Sequence, residues 1–132
     1  MYLFLDDTPN DIEQAVEEPL IGAVGTAIKK LLSLFLSPEK YLVVHQVICQ
    51  SAKEKPTVKE REDCYHNTKL ILDTVKPKAI FALGSNISKF LDKKKVQHVK
   101  LPNKYEIYLS DLARARATLI LRKYFEKEST NV

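Results

Sequence analysis

The chain of 132 residues is 45% hydrophobic and 29% charged, which excludes a disordered or low-complexity polypeptide and fits one folded domain spanning 1–132. At this length roughly two thirds of the unfolded surface can be buried without disulfide or metal staples. A net charge of +4 admits a polyanionic partner without requiring one.

Tyr2–Leu5 is a short apolar run ending in Asp6-Asp7-Thr8-Pro9-Asn10, so a strand followed by a turn is expected there. The acidic stretch Asp11–Glu18 suits a short helix or a loop. After Gly22 and Gly25, the spacing of Ala27, Ile28, Leu31, Leu32 and Phe35 predicts an amphipathic helix over about 24–36, stopped by Pro38. The β-branched run from Tyr41 to Ile48 and Cys49 predicts a central strand. A polar loop over 50–55 and Pro56-Thr57 then lead into a helix over about 58–75, with Cys64, Leu70, Ile71 and Val75 facing inward.

Ala79–Leu83 is apolar throughout, as in a strand buried on both faces, and Gly84-Ser85 turns it into a helix over 86–91. Two further strands are expected at 96–101 and 105–109, before a last helix over about 112–126 capped by Ser110 or Asp111. Alternation of strands and helices predicts an α/β fold, a three-layer sandwich around a mainly parallel sheet of about four strands.

No run reaches the roughly 18 apolar residues that a membrane-spanning helix requires. The start of the chain lacks the basic and apolar regions of a secretory signal. With two cysteines, Cys49 and Cys64, a reducing cytoplasm, or the host cytoplasm for a viral chain, is the expected setting.

Three segments, in order, resemble the uracil-DNA glycosylases of the thermophilic iron–sulfur type. Asp6–Asn10 followed by Pro19-Leu20-Ile21-Gly22-Ala23-Val24-Gly25 is similar to that family's G-E-A-P-G turn and P-F-V-G-x-A-G loop. Cys49, Pro56-Thr57 and Cys64 are similar to its K-C-R-P-P … P-T-P-E-E … C stretch, one residue shorter. Lys76–Gly84 is similar to its R-P-K-V-I-V-x-L-G strand. The resemblance covers most of the chain. It implies a uracil-DNA glycosylase-like fold and a site that flips a nucleotide out, holds the base, and stabilises the departing uracil anion.

Carried over residue by residue, the resemblance makes Asp7 the catalytic carboxylate if any activity survives. It draws the base pocket from Asp6, Thr8, Pro9, Leu20 and His45. Leu20 stands where the family has a stacking Phe, His45 where it has the base-reading Asn, and Leu109 where it has the His that stabilises the leaving base. The plainer alternatives are that Asp6 and Asp7 are turn and capping residues and that His45 is structural.

DNA contacts are expected from Gly22 and Gly25, whose helix start offers backbone N–H groups, and from Lys104, Ser110, Arg114 and Arg116. No metal or cofactor is expected, because two cysteines cannot complete a four-thiolate cluster. Three readings follow. The first is a catalytically degenerate glycosylase-like protein that binds DNA or a replication or repair partner. The others are a divergent active glycosylase and an interaction module without DNA binding. Oligomeric state and source are not legible.

Overall fold

The computed structural model describes residues 1–9, 13, 19–47 and 56–130. The chain runs β1 (Tyr2–Asp6), α1 (Gly22–Ser33), a 3-10 turn (Pro38–Lys40), β2 (Tyr41–His45), α2 (Val58–Asp63), α3 (Tyr65–Val75), β3 (Ile80–Leu83), α4 (Ser85–Lys93), β4 (Val99–Leu101), α5 (Lys104–Leu109) and α6 (Asp111–Thr130). The four strands form one parallel sheet in the order β2-β1-β3-β4.

That order dictates the layers. The chain leaves β1 towards β2 in one direction and then crosses to β3 and β4 in the other. Right-handed crossovers in opposite directions put their helices on opposite faces of the sheet. The two core clusters show this. Tyr2, Phe4, Val43, Phe81, Leu83 and Leu101 pack against α1, α5 and α6, while Leu3, Leu5 and Ala82 pack against α3 and α4. The expected α/β architecture with a parallel four-stranded sheet is therefore present, and β3 lies inside the sheet between β1 and β4.

Rings fill the first face. Phe4 stacks on Phe81 at 4.8 Å, and Tyr124 and Phe125 of α6 reach Phe81 and Tyr2 at 5.2 Å. The hydroxyls of Tyr2 and Tyr124 both bond Glu128, tying the far end of α6 to the sheet. Burial, then the Glu128 carboxylate, pushes both hydroxyls up to about 12.

Several expected elements change. Tyr105–Leu109 is a helix, not a strand: Asn103 accepts from the Glu106 N–H at 2.8 Å while Glu106 accepts from the Asn103 N–H at 3.2 Å. That reciprocal box nucleates α5 despite the strand-like alternation of its side chains. β2 ends at His45, beyond which Gln46 and Val47 bend while still bonding the carbonyls of Asp6 and Asp7. Ile48, Cys49, the 50–55 loop and the stretch Asp11–Glu18, apart from Glu13, lie outside the described residues.

The helix expected over 58–75 is two helices meeting at Cys64, and Leu70 faces solvent at 65% exposure rather than the core. Only Val99–Leu101 of the 96–101 run pairs with β3. No helix among the described residues is long and apolar enough to cross a membrane.

Gly25 sets how closely the segment before α1 can approach that helix. A Cβ at this position would lie 2.1 Å from the Leu20 carbonyl carbon, a backbone atom that cannot swing away. Leu20, 2% exposed, is pinned there with a left-handed φ of 54°. Gly25→Ala is expected to destabilise the fold by about 1–3 kcal/mol, read as a lower urea midpoint. An unchanged midpoint would show that the Leu20 turn relaxes freely.

Candidate functional site

Register and pleat bring two polar side chains together at the carboxyl ends of the central strands. Asp6 pairs with His45 across β1 and β2, and period-2 alternation puts both on the face covered by α1, α5 and α6. In open α/β sheets the carboxyl edge, where strand order reverses, is where ligands are held; here that point lies between β1 and β3.

Lys104, the first residue of α5, reaches under this edge. Its Nζ donates to Asp6 Oδ2 at 2.5 Å, to Glu13 Oε1 at 2.6 Å and to the Thr8 carbonyl at 2.9 Å. Glu13 also accepts from the Leu20 N–H at 2.6 Å. His45 Nε2 lies 3.2 Å from Asp6 Oδ2 and 3.5 Å from Glu13 Oε2. These are ion-pair distances without hydrogen-bond geometry, so this buried nitrogen has no hydrogen-bond partner.

A second pair flanks the first. Arg61 Nη1 stands 2.7 Å from Asp7 Oδ1 and 3.1 Å from Gln46 Oε1, and Gln46 Nε2 donates to the Arg61 carbonyl at 2.9 Å. The Arg61–Asp7 contact is likewise an ion pair by distance, without hydrogen-bond angles at that oxygen.

The electrostatics close on themselves. Two buried carboxylates face one ammonium, leaving one negative charge that a protonated His45 neutralises. Burial presses His45 towards its neutral form, but the contacts to Asp6 and Glu13 outweigh it and hold the pKa above the ordinary 6.5. For Lys104, burial likewise opposes charge, and Asp6 then Glu13 raise its pKa above 10.5. Asp6, Glu13 and His45 bring one ligand atom each within 4.8 Å, a set able to hold a cation. The Lys104 ammonium already sits against both carboxylates, so a metal ion would have to displace it.

The structure brings some of the expected residues together and disperses others. Asp6 and His45 meet, with Thr8 joined through its carbonyl and Pro9 buried beside them. Leu20 belongs to the hydrophobic core, not to a base pocket: its side chain packs under α1 and presents nothing to a ligand. Lys104 is not a phosphate contact, because at 2% exposure its charge is enclosed by the carboxylates.

Gly22, with φ of 84°, opens α1, and Gly25 is buried under Leu20. Ser110 accepts from the Ala113 N–H at 3.1 Å as the cap of α6. Arg114 donates to the Ile107 and Tyr108 carbonyls and pairs with Asp111, while Arg116 is exposed. Asp7 stays partly open beside Arg61. Leu109 is exposed, and His98 precedes β4, at the opposite edge of the sheet, bonded to Ser88 at 2.7 Å. Cys64 is a free thiol between α2 and α3, and Cys49 lies outside the described residues.

Glu13, Gln46 and Arg61 complete the site and were not singled out from sequence. The Asn103-x-x-Glu106 box was the available signal for Lys104, since it starts a helix at that residue. Apart from this cluster, a groove of about 700 Å³ lies between α1 and the α5–α6 corner, lined by Ala27, Leu31, Leu34, Tyr108, Arg114 and Thr118.

Lys104→Met would leave Asp6 and Glu13 buried against at most one cation. The expected cost is about 3–5 kcal/mol of stability, measured by denaturant unfolding; a loss below 1 kcal/mol would mean that water reaches the cluster. The raised pKa of His45 gives a second expectation. Its stabilisation is complete below pH 6.5 and is lost as pH rises through the folded-state value above 6.5. Unfolding free energy should therefore fall as pH climbs through that window in the wild type, and His45→Asn should flatten the fall. Equal slopes in the two proteins would assign the titration to another group.

Comparison with known proteins finds no family model that matches this chain and no curated protein that matches it, so its chemistry rests on its own residues.

Proposed function

We propose that this chain is a DNA-binding protein on a uracil-DNA glycosylase-like scaffold that does not excise bases efficiently. The observation that carries the reading is the pairing of the carboxylates of Asp6, Asp7 and Glu13, those found among the described residues at the ends of β1 and β2. Asp6 and Glu13 are enclosed by Lys104 and His45, and Asp7 is paired with Arg61. A carboxylate that orients a water must offer the water an accessible oxygen. Asp6 and Glu13 are buried and withhold theirs, while the charge of the partly open Asp7 is already countered by Arg61.

The resemblance places a stacking ring and a leaving-group histidine where Leu20 and Leu109 stand. Leu20 is in the core and Leu109 is exposed without a donor to offer. Each preorganised donor lost from such a site costs about 100- to 1000-fold in rate. The parallel sheet with helices on both faces is the architecture that the resemblance implies. Arg116, Arg122 and Lys123 on α6 and Lys100 on β4 are exposed and available to phosphates.

Two assays on the same protein test this: uracil release from single- and double-stranded DNA, and binding to undamaged DNA of the same sequence. Binding that is blind to uracil, without release above buffer, is expected. Release that Asp7→Ala abolishes would instead make the chain a divergent glycosylase with Asp7 positioning the water. Neither release nor binding would leave a protein-interaction module.

A further inference from the structure

Lys104, Gly25 and Ser110 are engaged within the fold. The exposed cations of α6 and β4 lie on helix and strand surfaces, so the remaining question is which groove at the carboxyl edge would seat a strand. A groove of about 190 Å³ between α2 and α4 answers that question. Arg61 and Glu62 of α2 form one wall, and Asn86, Lys89, Phe90 and Lys93 of α4 form the other. It adjoins the carboxyl end of β1 through the Arg61–Asp7 pair and that of β3 through the start of α4.

The charges around the groove sort into pairs and a remainder. Arg61 is matched by Asp7, and Glu62 by Lys94 at 2.6 Å. Lys94 is held further by the rings of Tyr65 and Phe90, at 4.9 and 5.6 Å, so Glu62 stays neutralised. Lys89 and Lys93 are exposed and have no carboxylate partner among the described residues. They stand one turn apart on the same helix face, about 6 Å along its axis. Two unmatched ammonium groups at that spacing, above a groove whose own acid is already neutralised, suit adjacent phosphates of one strand.

We infer that the α2–α4 groove is the DNA-backbone contact of this protein, with Lys89 and Lys93 on successive phosphates. This rests on the reading above that the chain binds DNA. Contacts of this kind orient a strand without reading its bases.

The test compares Lys89→Glu/Lys93→Glu with Lys40→Glu/Lys69→Glu, a pair of exposed lysines away from the groove that changes net charge equally. Affinity for a labelled single-stranded oligonucleotide is measured across a salt series, with circular dichroism confirming that each variant is folded. The groove variant should bind on the order of tenfold more weakly, and its salt slope should drop by about 1.4, two phosphates' worth on a single strand. The control pair should lose much less. Equal weakening in both variants, or a groove variant indistinguishable from wild type, would overturn the groove while leaving DNA binding intact. Wild type that binds no DNA would remove the functional reading and the groove together.

Discussion

The ammonium of Lys104 is the point on which the functional edge of this molecule depends. Three separate stretches converge on it: the end of β1 through Asp6 and Thr8, the segment before α1 through Glu13, and α5, which carries the lysine itself. Glu13 in turn holds the Leu20 backbone, and Leu20 packs against the Gly25 face of α1. A buried ion network of this kind adds little net stability, since desolvation offsets much of the attraction. What it supplies is position. Breaking one member leaves uncompensated charge in the interior, which holds the side chains of Asp6, Glu13 and Lys104 together.

The same network limits the chemistry. A parallel α/β sheet normally offers its carboxyl edge to a ligand, and polar groups collect there because backbone and side chains at strand ends need partners. In this protein those groups partner one another. A protonated His45 completes the charge balance of Asp6, Glu13 and Lys104, and Arg61, held by Gln46, pairs with Asp7. The charges described at this edge are thus paired, whereas Lys89 and Lys93 on α4 beside it have no ion-pair partner among the described residues.

Below that edge the scaffold is held by means that involve no charge. β1 is buried on both faces, and the stacked rings of Phe4 and Phe81 with Tyr124 and Phe125 of α6 lock the sheet to its longest helix. Burial of large aromatic side chains gives the dominant favourable term in such a core. The apolar packing of the sheet is thus separate from the polar contacts at its carboxyl edge.

The sequence by itself determined the parallel α/β architecture. Apolar runs at 2–5 and 79–83 between turn residues read as buried strands, and the period of Ile28, Leu31 and Leu32 read as a helix with one apolar face. The family resemblance brought Asp6 and His45 forward as base-pocket residues; that β2 ends at His45, opposite Asp6, was decided by the fold. Tertiary structure decided the rest. Whether Tyr105–Leu109 was strand or helix turned on the reciprocal bonds of Asn103 and Glu106, local geometry that overrode side-chain alternation. Whether Lys104 met solvent or the interior turned on α5 landing beside the β1 edge, 98 residues away in sequence from Asp6. Glu13 gained its role only when the chain before α1 folded back onto that edge, so nothing in its own neighbourhood distinguished it from the other acids of 11–18. Local pattern specifies which face of an element is buried; the partners of a buried charge come from distant parts of the chain, and only packing brings them together.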